Sequence, residues 1–173
     1  MNTTLIGVDP GVVDTGAVVI MLRPSEKTFT VFHRVWRNVS SKVNGEFIVD
    51  PEFLKEIREF ASDSSPRDKT LRFVEGYRNR GRDSRQDQQM TVLVQEIVKV
   101  VKGSTIVDNT GIKKVVKPGF MDLFGFTFPG THHADLWSAA RVALKGGLSD
   151  LETNTVLSNL TRDALDGTPW GHV

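Results

Sequence analysis

Three acidic residues stand where predicted secondary-structure elements begin or end, and together they could hold metal ions. Asp9 closes one short apolar stretch, Glu75 closes another, and Asp135 lies in the first turn of an Ala-rich helix. Carboxylates at neighbouring strand ends, joined by one from a helix above them, can meet closely and then repel one another. Mg²⁺ relieves that repulsion, because it prefers a shell of carboxylate oxygens and water. Two such ions, ~3.5–4 Å apart, would clamp a phosphodiester between an activated water and the leaving oxygen.

His132 is the candidate for a fourth ligand or a proton carrier. It lies three residues before Asp135, a spacing that places both on one helical face. His133, only two residues before Asp135, would point roughly 160–200° away, so we assign it to the helix start or the surface. The same face continues to Ala139 and Ala143, whose small side chains let a helix lie close to a sheet.

Each of the three acids also has a purely structural explanation. An Asp-Pro-Gly sequence is commonly a turn, and a Glu at a strand end is commonly solvated. An Asp at a helix start interacts favourably with the helix dipole. The combination of all three favours a metal site, but spacing alone leaves both interpretations open.

The chain begins with three predicted strands. Residues 4–9 and 15–22 are short apolar runs, and residues 28–36 alternate apolar with polar side chains. The sequence at 10–14 between the first two is typical of a hairpin turn. Three antiparallel strands in a row are therefore expected.

Helices and strands then alternate. Asp50 caps a predicted helix whose first residue is Pro51. The later elements are a strand at 71–75, an amphipathic helix with a stripe from Met90 to Val101, a strand at 104–108, an Ala-rich helix at 131–144, and a last helix that Ser149 and Glu152 open as a capping box.

That order predicts an α/β fold with a mixed five-stranded sheet, in which three antiparallel strands are followed by two parallel ones, and helices lie on both faces. Right-handed crossovers would place the strand that ends at Glu75 beside the first strand. We expect a single domain over residues 1–173, with the C-terminal helices at 131–166 included.

Composition excludes several classes of protein. The 173 residues include no cysteine, which rules out a disulfide framework, a thiolate zinc site and a Cys nucleophile. No apolar run reaches the ~18 residues of a membrane span. The N-terminus lacks the basic and apolar regions of a signal peptide. We therefore expect a soluble, cytoplasmic protein that is neither secreted nor attached to a membrane.

Charge is unevenly distributed along a chain whose formal net charge is only +1. Residues 78–85 carry four arginines against one aspartate, whereas residues 148–173 are mainly acidic. One basic and one acidic side suit a protein that faces a polyanion. A solvated loop beside a solvated helix explains the same distribution equally well.

Three segments resemble the motifs of RuvC-like Holliday junction resolvases. The segments are Ile6-Gly7-Val8-Asp9-Pro10-Gly11 followed by Thr15-Gly16, then Phe73-Val74-Glu75, and finally His132-His133-Ala134-Asp135-Leu136-Trp137-Ser138-Ala139-Ala140. The resemblance covers about residues 5–144 in order and spacing. It implies a ribonuclease-H-like fold. The implied activity is that of a homodimer that nicks four-way DNA junctions in paired strands. Each active site would use two Mg²⁺ ions, and Mn²⁺ is expected to substitute for them. By position, Asp9, Glu75 and Asp135 become the metal carboxylates and His132 the fourth ligand. A phage or prophage source would suit such a compact chain.

The resemblance also assigns residues to DNA contact. A lysine of the family approaches the scissile phosphate, which makes Lys117 or Lys114 the candidate, although Pro118-Gly119 interrupts the helix expected there. Tyr77 is the aromatic nearest to the family's junction-centre position, and it is either a base-stacking residue or a plain loop tyrosine. Gly11 and Gly16 would let the backbone approach the scissile phosphate, although turn geometry alone would also explain Gly11. The proposed phosphate contacts are Arg78, Arg80, Arg82, Arg85, Lys113 and Lys114.

Three rival functions remain. Another ribonuclease-H-like nuclease would act on branched, flapped or hybrid nucleic acid, but ordinary ribonucleases H place their Glu on the first helix, whereas Glu75 ends a strand. A non-catalytic junction-binding protein would not need all three acids and His132. An actin-like kinase or ATPase needs two such domains around its nucleotide, and 173 residues hold only one.

Overall fold

The computed structural model describes residues 1–38, 40–62, 69–77, 84–128, 130 and 133–173. The strands are β1 (Thr3–Asp9), β2 (Asp14–Arg23), β3 (Thr28–Arg37), β4 (Ser40–Val43), β5 (Glu46–Val49), β6 (Lys69–Gly76), β7 (Ser104–Asp108) and β8 (Gly171–His172). The helices are α1 (Pro51–Ser62), α2 (Arg85–Val100), α3 (Ile112–Val115), α4 (Pro118–Asp122), α5 (His133–Leu148) and α6 (Leu151–Leu165).

The main sheet has six strands in the order β7-β6-β1-β2-β3-β8, and β4 and β5 form a separate hairpin. β1, β2 and β3 are antiparallel, whereas β6 is parallel to β1 and β7 is parallel to β6. The predicted α/β class, with three antiparallel and then two parallel strands, is confirmed. The predicted count of five strands is one short, because β8 adds a two-residue parallel strand beside β3.

Helices cover both faces of the sheet, as predicted. Alternate residues of β1 point to opposite faces, so that Leu5 belongs to one apolar core and Ile6 to the other. The first core packs the sheet against α5, with α6 and the segment from α3 to Phe128 around it. The second packs the other face against α1 and α2. The apolar stripe of α2 belongs to this second core, with Leu93 and Ile97 fully buried.

Close backbone contact fixes α5 against the strands. A Cβ atom on Gly7 would lie 2.1 Å from the Ala139 carbonyl oxygen and 2.9 Å from the Ala143 Cβ. A Cβ on Gly16 would lie 2.8 Å from the Asp135 carbonyl oxygen. The small residues predicted to bring this helix close to the sheet do so.

The position of Gly16 gives this glycine a different role from the predicted one. It was expected to admit a phosphate, but its open side is filled by the backbone of α5. Gly11 is required by the turn between β1 and β2, because a Cβ there would lie 2.2 Å from the Asp14 carbonyl oxygen.

One local prediction is wrong in detail, and one element was missed. The cap of α6 is Asp150, whose carboxylate accepts from the Thr153 N–H at 3.0 Å, whereas the predicted cap, Ser149, donates to the Lys145 carbonyl at 3.2 Å. The β4–β5 hairpin was not predicted, although Asn44-Gly45 at its turn is a common hairpin pair.

Within the described ranges, no helix is both long enough and apolar enough to cross a membrane.

Candidate active site

Asp9 and Glu75 lie together at the edge of the sheet that is formed by the C-terminal ends of β1 and β6. β1 and β6 are parallel neighbours, with Val8 opposite Val74, so the next residue of each strand reaches the same edge. Both strands end there because the chain turns away, at Pro10 after β1 and at Tyr77 after β6. The topology therefore brings together two carboxylates that are 66 positions apart in sequence.

The carboxylate of Glu75 accepts hydrogen bonds from two other elements. The Ser138 hydroxyl of α5 donates to Oε2 at 2.8 Å. The side-chain amide of Asn109, just after β7, donates to Oε1. With one donor on each oxygen, the plane of this carboxylate is fixed relative to Asp9.

The proton shared by the carboxylate pair lies on Asp9. Burial, the negative charge of Glu75 and a hydrogen bond with Glu75 raise the pKa of Asp9 to about 9, with a smaller contribution from the charge of Asp135. A hydrogen bond with Ser138 opposes this rise in the pKa. At neutral pH and with no cation bound, Asp9 therefore keeps its proton and hydrogen-bonds to Glu75.

A divalent cation fits this arrangement chemically. Two carboxylates that share a proton are stabilised when a hard cation replaces that proton, because the cation offsets both negative charges. Asp135, in the first turn of α5, lies close enough for its charge to raise the pKa of Asp9. No three His, Asp or Glu side chains in the described ranges are placed around a single ion position. His132, the predicted fourth ligand, lies outside those ranges.

An open groove of about 700 Å³ runs from Glu75 along the end of β7. It is lined by Glu75, Gly76, Tyr77, Asp108, Asn109, Thr110, Gly111, Ile112, Lys113 and Lys114. The exposed lysines of α3 thus lie in the same groove as the carboxylate of Glu75.

The structure separates the predicted lysines. Lys113 and Lys114 line the groove, whereas Lys117 is the exposed N-cap residue of α4 and does not line it. The interruption predicted at Pro118 is present, because α3 ends at Val115 and α4 begins at Pro118. Of the two lysine candidates for the scissile phosphate, Lys114 has the better position.

The structure describes only some of the residues after Glu75 that were predicted to contact DNA. The Tyr77 hydroxyl donates to the carboxylate of Asp87 in the first turn of α2, and its side chain is 36% exposed. Arg85, the first residue of α2, is exposed. The other predicted DNA contacts, Arg78, Arg80 and Arg82, lie outside the described residues.

Asn109 and Ser138 are the site residues that sequence reasoning missed. Ser138 follows Asp135 by three residues, the same helical interval that singled out His132. Applying the same three-residue interval once more, from Asp135 towards the C-terminus, would have identified Ser138. Asn109 gives no comparable signal, because its contact with Glu75 depends on the pairing of β6 with β7.

The fold of this chain is similar to that of solved structures. Neither a protein-family model nor a curated protein sequence matches the chain. A solved structure described as T. thermophilus RuvC in complex with Holliday junction substrate is 14% identical, with a TM-score of 0.51 over 98% of each chain. A second, described as Thermus thermophilus RuvC structure, is 13% identical, with a TM-score of 0.45 over 93% of this chain and 97% of that chain. The first likeness shows that this chain has the RuvC fold.

Proposed function

We propose that this chain is a metal-dependent endonuclease that cuts branched DNA, with four-way junctions as its main substrate. The observation that carries the proposal is the pairing of Asp9 with Glu75 at the sheet edge, beside Asp135 on the covering helix. The RuvC fold is consistent with it, because the solved relative was bound to a Holliday junction. We further propose that residues 1–173 act as one domain and that two copies form a homodimer.

Asp9, Glu75 and Asp135 are the proposed ligands of two Mg²⁺ ions, with His132 as the fourth ligand. When bound, such ions supply an activated water and stabilise the leaving oxygen of a phosphodiester. A bound cation would favour the ionised form of Asp9, because it would offset the burial and the charge of Glu75 that raise the pKa of this carboxyl. Mn²⁺ is expected to substitute, since it accepts the same oxygen ligands.

The chain's own residues orient the carboxylates and the substrate. Ser138 and Asn109 hold the two oxygens of Glu75, so this ligand does not have to reorganise when a substrate arrives. The groove beside Glu75 leads a DNA strand towards the site, and Lys113 and Lys114 face its phosphates there.

Cleavage of synthetic DNA tests the proposal directly. The substrates are a labelled four-way junction, a duplex, a flap and an RNA–DNA hybrid, each incubated with Mg²⁺. Symmetric paired nicks in the junction alone are expected. Cutting of the flap or hybrid instead would indicate another nuclease of the same fold, and tight junction binding without cutting would indicate a binding protein.

Substitution of the paired acids tests the assignment of the site. Asp9→Asn or Glu75→Gln should lower cleavage by at least 10³-fold while leaving junction affinity within about threefold, because separate basic residues hold the DNA. Glu26→Gln, at an exposed turn at the opposite edge of the sheet, is the matched control and should cut normally. Near-normal cleavage by either acid variant would show that the metal site lies elsewhere.

A further inference from the structure

The β4–β5 hairpin leaves the sheet at the edge that carries Asp9. β3 ends at Arg37, opposite the first residue of β2, and Asn38 then fastens the chain to the turn that follows Asp9. The backbone N–H of Asn38 and its side-chain amide donate to the carbonyls of Val13, Gly11 and Val12, at 2.7, 3.3 and 3.2 Å respectively. The hairpin is thus fixed close to the carboxylate pair.

Two cations flank one aromatic ring between this hairpin and α2. Lys42 and Phe47 are cross-strand partners in the hairpin, and the Lys42 Nζ lies 5.6 Å from the centre of the Phe47 ring. The Arg85 Cζ, at the start of α2, lies 5.9 Å from the same ring centre. The ring attracts both cations and holds each of them near it.

Among the described residues, no ion pair offsets the charge of these two cations. Neither Lys42 nor Arg85 forms an ion pair with any carboxylate in the part of the chain that the structure describes. Glu46 belongs to the same hairpin, but it pairs with Val43, one position along from the Lys42–Phe47 pair, so it lies on the other face. The face with Phe47 is therefore positive.

This positive face continues into the groove beside Glu75. Tyr77 lines the groove, and its hydroxyl donates to Asp87, two residues after Arg85 in the first turn of α2. The start of α2 therefore touches the Phe47 ring through Arg85 and the groove beside Glu75 through the contact of Asp87 with Tyr77. A polyanion seated in the groove would extend over both cations.

We propose that Lys42, Phe47 and Arg85 form a phosphate-binding site for the backbone of a duplex arm of DNA. The identity of the ligand rests on the proposed function, whereas the site itself rests on the charge and position of these three residues. Two cations that are held by a ring and lack carboxylate partners complement the phosphates along one strand. Lysine and arginine contacts of this kind hold an arm without selecting its sequence.

Binding measurements across a salt series test this site in the full chain. Fluorescence anisotropy in EDTA, where no strand is cut, gives the Kd for a labelled four-way junction and for a duplex with the same arm sequence. The variants are Lys42→Gln, Arg85→Gln and their double, with Phe47→Leu to remove the ring but keep an apolar side chain. Lys102→Gln is the matched control, because Lys102 is exposed where β7 begins, at the opposite edge of the sheet from Glu75. Thermal unfolding establishes that each variant is folded.

Each single cation variant should lower the slope of log K against log salt by about 1, and the double variant by about 2. The double variant should also raise the Kd on the order of tenfold at ~0.1 M salt, for junction and duplex alike. Phe47→Leu should give an intermediate loss. An unchanged slope in the double variant, an equal loss with Lys102→Gln, or binding of an acidic peptide but no DNA would overturn the inference.

The two proposals fail in different ways. A wild-type chain that binds DNA through Lys42 and Arg85 but cuts no branched substrate would keep this site and overturn the endonuclease. A wild-type chain that cuts the junction, with a double variant that binds and cuts equally well, would keep the endonuclease and overturn this site.

Discussion

Ser138 contributes to the candidate site by holding another residue rather than by carrying charge. Its hydroxyl donates to Glu75 and also hydrogen-bonds to Asp9, so it connects both carboxylates. Removing a group that orients a metal ligand typically lowers metal affinity or activity by 10–100-fold. Ser138→Ala should therefore weaken Mn²⁺ binding by about that factor, as measured by electron paramagnetic resonance of free Mn²⁺ without DNA.

Two comparisons separate this role from a general loss of structure. Ser138→Thr keeps the hydroxyl and should recover most of the Mn²⁺ affinity. Ser158→Ala removes an exposed hydroxyl that bonds Asn154 on α6, and it should leave the affinity unchanged. If Ser138→Ala bound Mn²⁺ as tightly as the wild type, Ser138 would have no part in orienting the ligands.

The raised pKa of Asp9 predicts a pH-dependent stability of the metal-free protein. The folded chain keeps a proton on Asp9 up to about pH 9, whereas the unfolded chain loses it near the ordinary value of 3.8. Stability therefore falls as pH rises through this window, by at most ~1.4 kcal/mol per pH unit for one proton. Asp9→Asn lacks this ionisation, so in EDTA it should unfold at higher urea than the wild type, with a gap that widens from pH 5 to pH 8.

Added Mg²⁺ should narrow that gap, because a cation stabilises the ionised pair in the wild type more than the neutral amide of the variant. Urea unfolding at pH 5, 6.5 and 8, with EDTA or with Mg²⁺, measures both effects. Equal stability of the two proteins at every pH would mean that Asp9 ionises freely in the folded state.

How far the sequence predicts this site depends on the kind of contact involved. Asp9, Glu75 and Asp135 were predicted because each stands at the end of an element whose pattern is visible in the sequence. The closeness of Asp9 to Glu75 then followed from the parallel pairing of β1 with β6. Asn109 could not be predicted in the same way, because it reaches Glu75 across a strand pairing whose register the sequence does not show.

Helix α5 carries Asp135 and Ser138, so its distance from the strands sets the geometry of the site. Gly7 permits that distance, because a side chain there would overlap the backbone of α5 at Ala139. Gly7→Ala should destabilise the fold by about 3 kcal/mol, at the upper end of the usual cost of overpacking. It should also lower Mn²⁺ affinity, since the helix must move away from β1.

Urea unfolding measures the first effect and Mn²⁺ titration measures the second. Gly119→Ala is the matched control, because a Cβ on this helical glycine would meet no atom within 4 Å. It should be neutral or slightly stabilising. A Gly7→Ala protein with wild-type stability would show that α5 lies further from β1 than the structure places it.

Helices and long strands were predicted more reliably than short elements. The apolar stripe of α2 extends along a helix of 16 residues, and β1 follows a continuous apolar run, so each pattern specifies its element. β8 has only two residues, and its place in the sheet depends on His172 stacking on Phe29 with ring centres 5.2 Å apart. Such a strand follows from packing of the C-terminal segment and leaves no periodic signal.

At the scale of the whole molecule, the described residues of the candidate metal site lie at one edge of the sheet. The strands that carry Asp9 and Glu75 end there, and α5 begins above them. The groove lies at this edge too, and Asn38, just before the β4–β5 hairpin, is hydrogen-bonded to the turn that follows Asp9. One chain therefore presents one candidate site, and under the proposed function the two strands of a junction would require two chains.

A homodimer with two-fold symmetry would place two such sites on one junction. Mixed dimers of wild type and Asp9→Asn, co-expressed with different tags, should then nick one strand only. On a supercoiled plasmid with an extruded cruciform, linear product should fall with the square of the wild-type fraction, and nicked circles should accumulate. Mixing with Glu26→Gln instead should leave the linear yield unchanged, because every site stays active. Linear product that falls in simple proportion to the wild-type fraction would show that single chains cut independently.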